Sequence, residues 1–231
     1  MMMERPMREL DSAKLALFTP LMYKNAVPYR QAVFNADKPG KPILVVYLHG
    51  KSGSGTDNMA QMRQAGIYSI ADYLQEKGIK AYFIVPQCPR ESSWAGGRDS
   101  QPFCSNIAPM LKKLIKDLGV DSKRVYLTGA SMGGIGAWYM AAQYPKMFAS
   151  ALIASGQARN LSASDLYATP VYVTMGTLEG ERSARVREFV GELADNACDA
   201  TFEYLEGLDH GDACEKAFSP ERLDWLLSKT K

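Results

Sequence analysis

Short runs of β-forming residues alternate with longer helical patterns along most of this 231-residue chain. The predicted strands cover residues 43–49, 80–86, 124–129, 149–154, 170–176 and 200–205, and the predicted helices cover residues 58–76, 106–118, 132–143, 183–195 and 220–229. The run Ile43–Leu48 is apolar throughout, as is typical of a strand covered on both faces. Such alternation predicts βαβ units, and therefore an α/β fold with a mostly parallel central sheet and helices on both faces.

The remaining segments are short. We expect an extra strand and a turn in residues 22–38. Residues 86–105 and 205–219 are expected to form loops that contribute to a functional site. No repeat or linker is visible, so we expect a single domain over residues 1–231, with residues 1–20 as an N-terminal extension of uncertain order. The predicted elements leave no segment long enough to form a large lid domain.

The charge balance and hydropathy argue against some partners. The chain has 27 Lys and Arg against 25 Asp and Glu, a net charge of +2, whereas a nucleic-acid-binding protein normally carries a basic patch. The longest apolar run is far below the roughly 20 residues that span a bilayer. The first residues mix acids and a proline, unlike a signal peptide. We therefore expect no nucleic-acid or membrane partner, and a cytoplasmic protein as the chain is given, or a periplasmic or secreted one if a signal peptide has been removed.

The four cysteines, Cys88, Cys104, Cys198 and Cys214, form no C-x-x-C pair and no zinc-binding spacing. The pattern therefore predicts no metal site. One interpretation is four free and mostly buried thiols. The other is a disulfide between Cys88 and Cys104, which would indicate an oxidising compartment.

The segment Gly129-Ala130-Ser131-Met132-Gly133 has the G-x-S-x-G pattern, and it lies between a predicted strand and a predicted helix. In that context a sharp turn holds the serine in a strained conformation above the carboxyl edge of the sheet. Small residues after Ser131 allow the following helix to pack closely on the sheet. We predict that Ser131 is a nucleophile, the alternative being a glycine-rich helix start with a capping serine.

A serine hydroxyl needs a neighbouring base to become a good nucleophile, and the chain has only two histidines. His210 follows the last predicted strand and fits the order nucleophile, acid, histidine. A solvated loop histidine is the alternative. His49 ends the first long strand, where the following loop supplies a backbone N–H to an oxyanion hole. This predicts that the amides of Lys51 and Met132 form that hole.

The acid that would orient His210 is expected after the predicted strand 170–176. Glu179 is the first candidate and Glu181 the second. Asp209 is adjacent to His210 in sequence, so its side chain would have difficulty reaching the correct ring nitrogen. Three aspartates, or no acid at all, remain as further alternatives: Asp195, Asp199 and Asp209.

These segments together resemble the α/β-hydrolase superfamily, and more narrowly the small esterases related to prolyl-oligopeptidase catalytic domains and feruloyl esterases. The resemblance covers roughly residues 40–230. It is carried by Tyr47-Leu48-His49-Gly50 with Gly55-Thr56-Asp57-Asn58, Val85-Pro86-Gln87-Cys88-Pro89 with Trp94, Thr128-Gly129-Ala130-Ser131-Met132-Gly133-Gly134, and His210 before Asp224-Trp225-Leu226-Leu227. Where the family usually has an aspartate in a Gly-x-x-Asp segment, this chain has Glu179.

The resemblance implies a serine carboxylesterase that works through an acyl-enzyme without metal or cofactor. It implies small acyl or feruloyl-type esters, on small-molecule or polysaccharide-linked substrates, and places Trp94 and Gln87 at the substrate site. A thioesterase or a peptidase would use the same triad, and a non-catalytic hydrolase-fold binding protein is a further alternative. The sequence leaves the acyl group, the alcohol and the oligomeric state open.

Overall fold

The structure is a computed structural model that describes residues 9–97 and 100–231. Its strands are β1 (Thr19–Tyr23), β2 (Val27–Phe34), β3 (Ile43–Leu48), β4 (Ala81–Pro86), β5 (Val125–Ala130), β6 (Ser150–Ala154), β7 (Val171–Gly176) and β8 (Ala200–Leu205). Its α-helices are α1 (Ser12–Ala16), α2 (Ala65–Glu76), α3 (Cys104–Asp117), α4 (Met132–Gln143), α5 (Glu181–Asp195), α6 (His210–Lys216) and α7 (Pro220–Ser228). The six long predicted strands are confirmed to within one residue at either end.

The strands within the described residues form one eight-stranded sheet in the order β1-β2-β4-β3-β5-β6-β7-β8. Each neighbouring pair from β4–β3 to β7–β8 in this order is parallel. Strand β2 runs antiparallel to both β1 and β4. The predicted mostly parallel sheet is therefore confirmed. Because parallel strands end at the same edge, the segments that follow β3, β5, β6, β7 and β8 meet at one side of the sheet.

Helices cover both faces of the sheet, as the sequence predicts. Leu44, Val46 and Leu48 of β3 point into the core formed with α3, α4 and α5. The alternate residues of β3, Ile43, Val45 and Tyr47, point into the core formed with α2 and α7. This alternation buries every side chain of β3 and explains why the strand is apolar throughout.

The predicted helix over residues 58–76 is wrong in its first part, because α2 begins only at Ala65. Asn58 has a φ of 54°, which an α-helix does not allow. Its side-chain amide donates to the carbonyl oxygens of Leu21 and Tyr29, at 3.1 and 3.0 Å. These contacts fasten the loop to the β1–β2 hairpin, and residues 60–63 form a 3₁₀ turn before the helix.

Two further segments differ from the prediction. The predicted extra strand in residues 22–38 is confirmed as β2, but the prediction missed β1, which pairs with β2 in an antiparallel hairpin. The predicted loop 205–219 contains α6, which is capped by Asp209: its carboxylate accepts a hydrogen bond from the Asp212 amide. Of the predicted N-terminal extension, residues 1–8 lie outside the described part, and the rest includes α1 and the start of β1.

All four cysteines are free, so the predicted alternative of a Cys88–Cys104 disulfide is wrong for this structure. Both of these thiols are buried, and burial raises the pKa of Cys88 to about 12. A thiol with so high a pKa is a poor nucleophile, so Cys88 has a packing role.

No helix in the described part of the chain is long and apolar enough to cross a membrane.

Candidate active site

Ser131 is the single residue between the end of β5 and the start of α4. Its φ of 55° and ψ of −116° lie in a region of backbone conformation that residues other than glycine rarely adopt. Its amide donates to the carbonyl oxygen of Ala154 on the neighbouring strand, at 2.9 Å, which holds the turn in place. The chain therefore bends sharply at Ser131 and presents its hydroxyl at the carboxyl edge of the sheet.

The two glycines of the G-x-S-x-G pattern make this bend possible. A Cβ atom added to Gly133 would overlap the carbonyl oxygen of Leu48, and one added to Gly129 would overlap the carbonyl oxygen of Gly133. The start of α4 therefore lies against the end of β3 with no room for a side chain. This close approach brings the loop after β3 next to the nucleophile.

His210, the first residue of α6, reaches Ser131 across the carboxyl edge of the sheet. Its Nε2 lies 2.8 Å from the Ser131 hydroxyl oxygen. The imidazole is partly open to solvent, with 34% of its side chain exposed. The structure therefore places the predicted nucleophile and the predicted base within hydrogen-bond distance at an open surface.

Glu179 lies on the other side of the same imidazole, in a short turn directly after β7. Its Oε2 lies 2.7 Å from Nδ1 of His210, and its side chain is only 1% exposed. Its Oε1 accepts hydrogen bonds from the Ser155 hydroxyl, at 2.7 Å, and from the Gly176 amide, at 3.0 Å. Burial alone would raise the pKa of this carboxyl, but the hydrogen bonds to it outweigh burial and hold the pKa below its ordinary value.

This geometry determines which nitrogen of His210 carries the proton. An ionised carboxylate only accepts hydrogen bonds, so Nδ1 must donate to Glu179. In the neutral ring, Nε2 is then left as the acceptor for the Ser131 hydroxyl. Ser131, His210 and Glu179 therefore form one hydrogen-bonded chain that is ready to move a proton from the serine to the imidazole.

The other predicted acids occupy different positions. The Glu181 side chain is 88% exposed and pairs with Arg185 one turn along α5. The aspartates are placed as follows: Asp195 is an exposed residue at the end of α5, Asp199 pairs with Lys229 at 2.7 Å, and Asp209 caps α6. Among the predicted acids, the hydrogen bond to Nδ1 is made by Glu179.

The two predicted oxyanion amides lie on segments that touch at the nucleophile. Lys51 follows Gly50, and a Cβ added to Gly50 would lie 3.4 Å from Cβ of Ser131. Met132 is the first residue of α4, so its amide has no acceptor within the helix. Lys51 thus lies in the loop whose Gly50 packs against Ser131, and Met132 follows Ser131 directly at the start of α4; an oxyanion hole formed by their amides stays a prediction.

His49 has a different role from His210, because it is wholly buried. Its Nε2 accepts a hydrogen bond from the Cys88 amide at 2.9 Å, so Nδ1 carries the proton and donates to the Gly50 carbonyl at 2.7 Å. Desolvation by burial lowers the pKa of His49 to about 4, so the ring is neutral near pH 7. It ties the loop that carries Lys51 to the segment after β4.

Trp94 and Gln87, which the resemblance places at the substrate site, are both wholly buried in this structure. The Trp94 indole donates to the His49 carbonyl at 2.8 Å. The Gln87 side chain accepts a hydrogen bond from the backbone N–H of Asn58 at 2.6 Å and donates one to the Asp57 carboxylate at 2.7 Å. In this conformation neither side chain has surface that a substrate could reach. The predicted place of these two residues is therefore corrected: both side chains lie in the layer beneath the site and support it.

Two residues of the site do not appear among the sequence predictions. Ser155 hydrogen-bonds Glu179, and the signal that could have found it is its position directly after a strand, like that of Ser131. Gln64 accepts hydrogen bonds from the Gly50 amide at 3.0 Å and the Tyr47 hydroxyl at 3.2 Å. Because Gln64 falls inside the wrongly extended helix prediction, no local pattern distinguishes it from a helix surface residue.

The arrangement supplies groups for nucleophilic attack on a carbonyl carbon: a hydroxyl with a base, and a buried carboxylate behind the base. The described residues contain no cluster of three or more His, Cys, Asp or Glu that could hold a metal ion.

Comparison with known proteins gives a consistent result. The model of the family described as "Putative esterase" matches residues 38–188. Acetylxylan esterase A of Aspergillus ficuum is 32% identical over 136 residues, which is 54% of this chain and 41% of that protein. Feruloyl esterase B of Talaromyces funiculosus is 29% identical over 124 residues, which is 50% of this chain and 33% of that protein. The chain thus covers less than half the length of these two relatives.

Solved structures agree in fold. A thermostable esterase superposes with a TM-score of 0.81 at 25% identity, over 94% of this chain and 64% of that one. An acetyl xylan esterase from Aspergillus awamori superposes with a TM-score of 0.63 at 19% identity, over 87% of this chain and 97% of that one.

Proposed function

The chain belongs to this esterase family and has the α/β-hydrolase fold, and we propose that it is a serine carboxylesterase. The observation that carries the proposal is the hydrogen-bonded chain from Ser131 through His210 to Glu179, with distances of 2.8 and 2.7 Å. A packing role for Ser131 would not require a strained backbone or a histidine aligned on its hydroxyl.

In the proposed reaction, the Ser131 oxygen attacks the ester carbonyl carbon while Nε2 of His210 takes the hydroxyl proton. The carbonyl oxygen becomes an oxyanion and is bound by the amides of Lys51 and Met132. Glu179 stabilises the imidazolium that forms. Collapse of the tetrahedral intermediate breaks the bond to the alcohol oxygen, which receives the proton from His210. Water then attacks the acyl-enzyme by the same steps and releases the acid and free Ser131.

We propose small acyl or feruloyl-type esters on carbohydrate-like alcohols as the substrate class. The names of the matched relatives, acetylxylan esterase and feruloyl esterase, support this class. The partial exposure of His210 also supports it, as does the absence of a lid domain from the described residues. An open site of this kind suits an ester on an extended substrate better than a long acyl chain that must be buried.

A fluorophosphonate probe tests the catalytic part of the proposal. The probe phosphonylates an activated serine, so we expect it to label the wild-type protein and not the Ser131→Ala variant. The Ser150→Ala variant is a matched control, because it removes a buried serine hydroxyl on β6 that bonds only a backbone carbonyl of α7. A folded wild-type protein that is not labelled would contradict the proposal.

A substrate panel tests the proposed class. We expect hydrolysis of p-nitrophenyl acetate and butyrate with a sharp fall at the octanoate, together with activity on methyl ferulate or acetylated xylan. Interfacial activation on long-chain triglyceride emulsions would contradict an open site for small acyl groups.

A further inference from the structure

Ser155 occupies a position that resembles that of the nucleophile, one strand away. It directly follows β6, its side chain is wholly buried, and its φ is 50°. Its amide donates to the carbonyl oxygen of Thr174 on β7, at 2.8 Å. The backbone of Ser155 is thus fastened to the strand that leads into Glu179.

This backbone conformation favours glycine, so the presence of a serine calls for a reason. Compared with glycine, serine adds only a Cβ atom and a hydroxyl group. The hydroxyl lies 2.7 Å from Oε1 of Glu179, and the carboxylate must be the acceptor because it carries no proton. The hydroxyl therefore donates its proton to the carboxylate behind His210, and the thiol of Cys214 is its second hydrogen-bonding neighbour.

Glutamate has one more side-chain torsion than aspartate, and a single hydrogen bond to His210 would leave its carboxylate free to rotate. Ser155 and the Gly176 amide both hold Oε1, which leaves Oε2 for the imidazole. On the basis of the function proposed above, we propose that Ser155 is a positioning residue that fixes the carboxylate of Glu179 in the rotamer that His210 requires.

Other polar and charged groups near this carboxylate come from two helices. His210 and Cys214 lie one turn apart on α6, and Arg182 approaches Cys214 from the start of α5. Burial raises the pKa of Cys214 to about 12, so its thiol stays neutral near pH 7.

Two variants separate the hydroxyl from the backbone strain. Ser155→Ala removes the hydroxyl and keeps the strain, whereas Ser155→Gly removes both. If the hydroxyl positions Glu179, both variants lose about 10- to 100-fold in kcat on p-nitrophenyl acetate with KM nearly unchanged. Ser155→Gly should nevertheless unfold at a temperature equal to or higher than that of Ser155→Ala.

The pH profile gives a readout that a purely structural role would not change. The hydrogen bond from Ser155 is one of those that lower the pKa of Glu179, so that pKa rises when the hydroxyl is removed. We therefore expect the acidic limb of kcat/KM to move to higher pH in both variants. Ser150→Ala, which removes a buried hydroxyl from the other end of β6, should keep the wild-type limb and a kcat within twofold.

A Ser155→Gly variant with wild-type kcat and a wild-type acidic limb would overturn the inference. The NMR signal of the His210 Nδ1 proton distinguishes a failure of this inference from a failure of the proposed function. Its chemical shift reports the bond to Glu179 whether or not the protein turns over an ester. An unshifted Nδ1 proton signal in both variants would also overturn the inference, whereas an inactive wild-type protein with a shifted signal would contradict only the esterase.

Discussion

The carboxylate of Glu179 and the imidazole of His210 are 31 positions apart in the chain, yet Oε2 and Nδ1 are 2.7 Å apart. The two residues follow β7 and β8, which are neighbouring parallel strands and therefore end at the same edge. The carboxylate is buried and the imidazole is partly exposed. This pairing gives His210 a fixed tautomer and a free Nε2 toward Ser131.

Replacing Glu179 by glutamine is expected to remove most of the activity. The amide has nearly the same shape but lacks the charge, so the imidazole loses both its preferred tautomer and the stabilisation of its protonated form. We expect kcat to fall by roughly 10³- to 10⁴-fold. Glu181→Gln is the matched control, because that side chain is exposed and pairs only with Arg185, and it should stay within twofold. Steady-state kinetics with p-nitrophenyl acetate measures both, and equal losses in the two variants would refute the assignment of the acid.

Replacing Gly133 by alanine is expected to destabilise the whole fold. The added methyl group would overlap the Leu48 carbonyl, so β3 and α4 would have to separate. We expect a loss of more than about 4 kcal/mol in the free energy of unfolding, or no soluble protein. Gly191→Ala adds the same group to α5 with no atom within 4 Å, and should stabilise by about 0.5–1 kcal/mol. Urea unfolding compares the two, and a stable Gly133→Ala variant would show that β3 and α4 are less tightly packed.

Stability is expected to fall as the pH is lowered through the range in which His49 is neutral only in the folded protein. Burial lowers its pKa from 6.5 to about 4, so the unfolded chain takes up a proton first as the pH falls. The unfolded state then binds more protons, and stability decreases from pH 6.5 toward pH 4. The expected decrease over this window is about 3 kcal/mol.

The His49→Gln variant provides the control for this dependence. Glutamine can still accept the hydrogen bond from Cys88 but does not titrate. We expect it to be less stable than the wild type at pH 7 and to show a smaller slope of unfolding free energy between pH 6.5 and 4.5. The measurement stops at pH 4.5 so that protonation of carboxylates contributes little to this slope. Identical slopes in the two proteins would mean that His49 is not the group responsible.

Replacing Trp94 by phenylalanine tests whether this residue supports the site or contacts substrate. Phenylalanine keeps most of the packing but cannot donate to the His49 carbonyl. We expect the unfolding free energy to drop by about 1–3 kcal/mol, and kcat to fall more than KM rises, because the buried indole acts through the loop that carries Lys51. Trp225→Phe, at a partly exposed position, should leave both kinetic constants unchanged. A change confined to KM would instead favour direct substrate contact.

The fold class and its main strands were predictable because they depend on local patterns. The apolar run of β3, the alternation of strands and helices and the glycines around Ser131 all leave a signal within a few neighbouring residues. The start of α2 was not predictable in the same way. Asn58 ends up outside the helix because its side chain bonds residues of the β1–β2 hairpin, which lies about 30 to 40 positions earlier in the chain.

The residues of the candidate site likewise fall into those that a local pattern identifies and those that only long-range contacts identify. The sequence by itself determined Ser131 as the candidate nucleophile and reduced the candidate bases to two, since the G-x-S-x-G pattern and the scarcity of histidine are properties of the chain. Only the tertiary structure separated Glu179 from Glu181, moved Trp94 and Gln87 beneath the site, and brought Ser155 to the carboxylate. Each of these outcomes depends on which side chain is buried beside which strand end, and such contacts join residues too far apart in the chain to leave a local pattern.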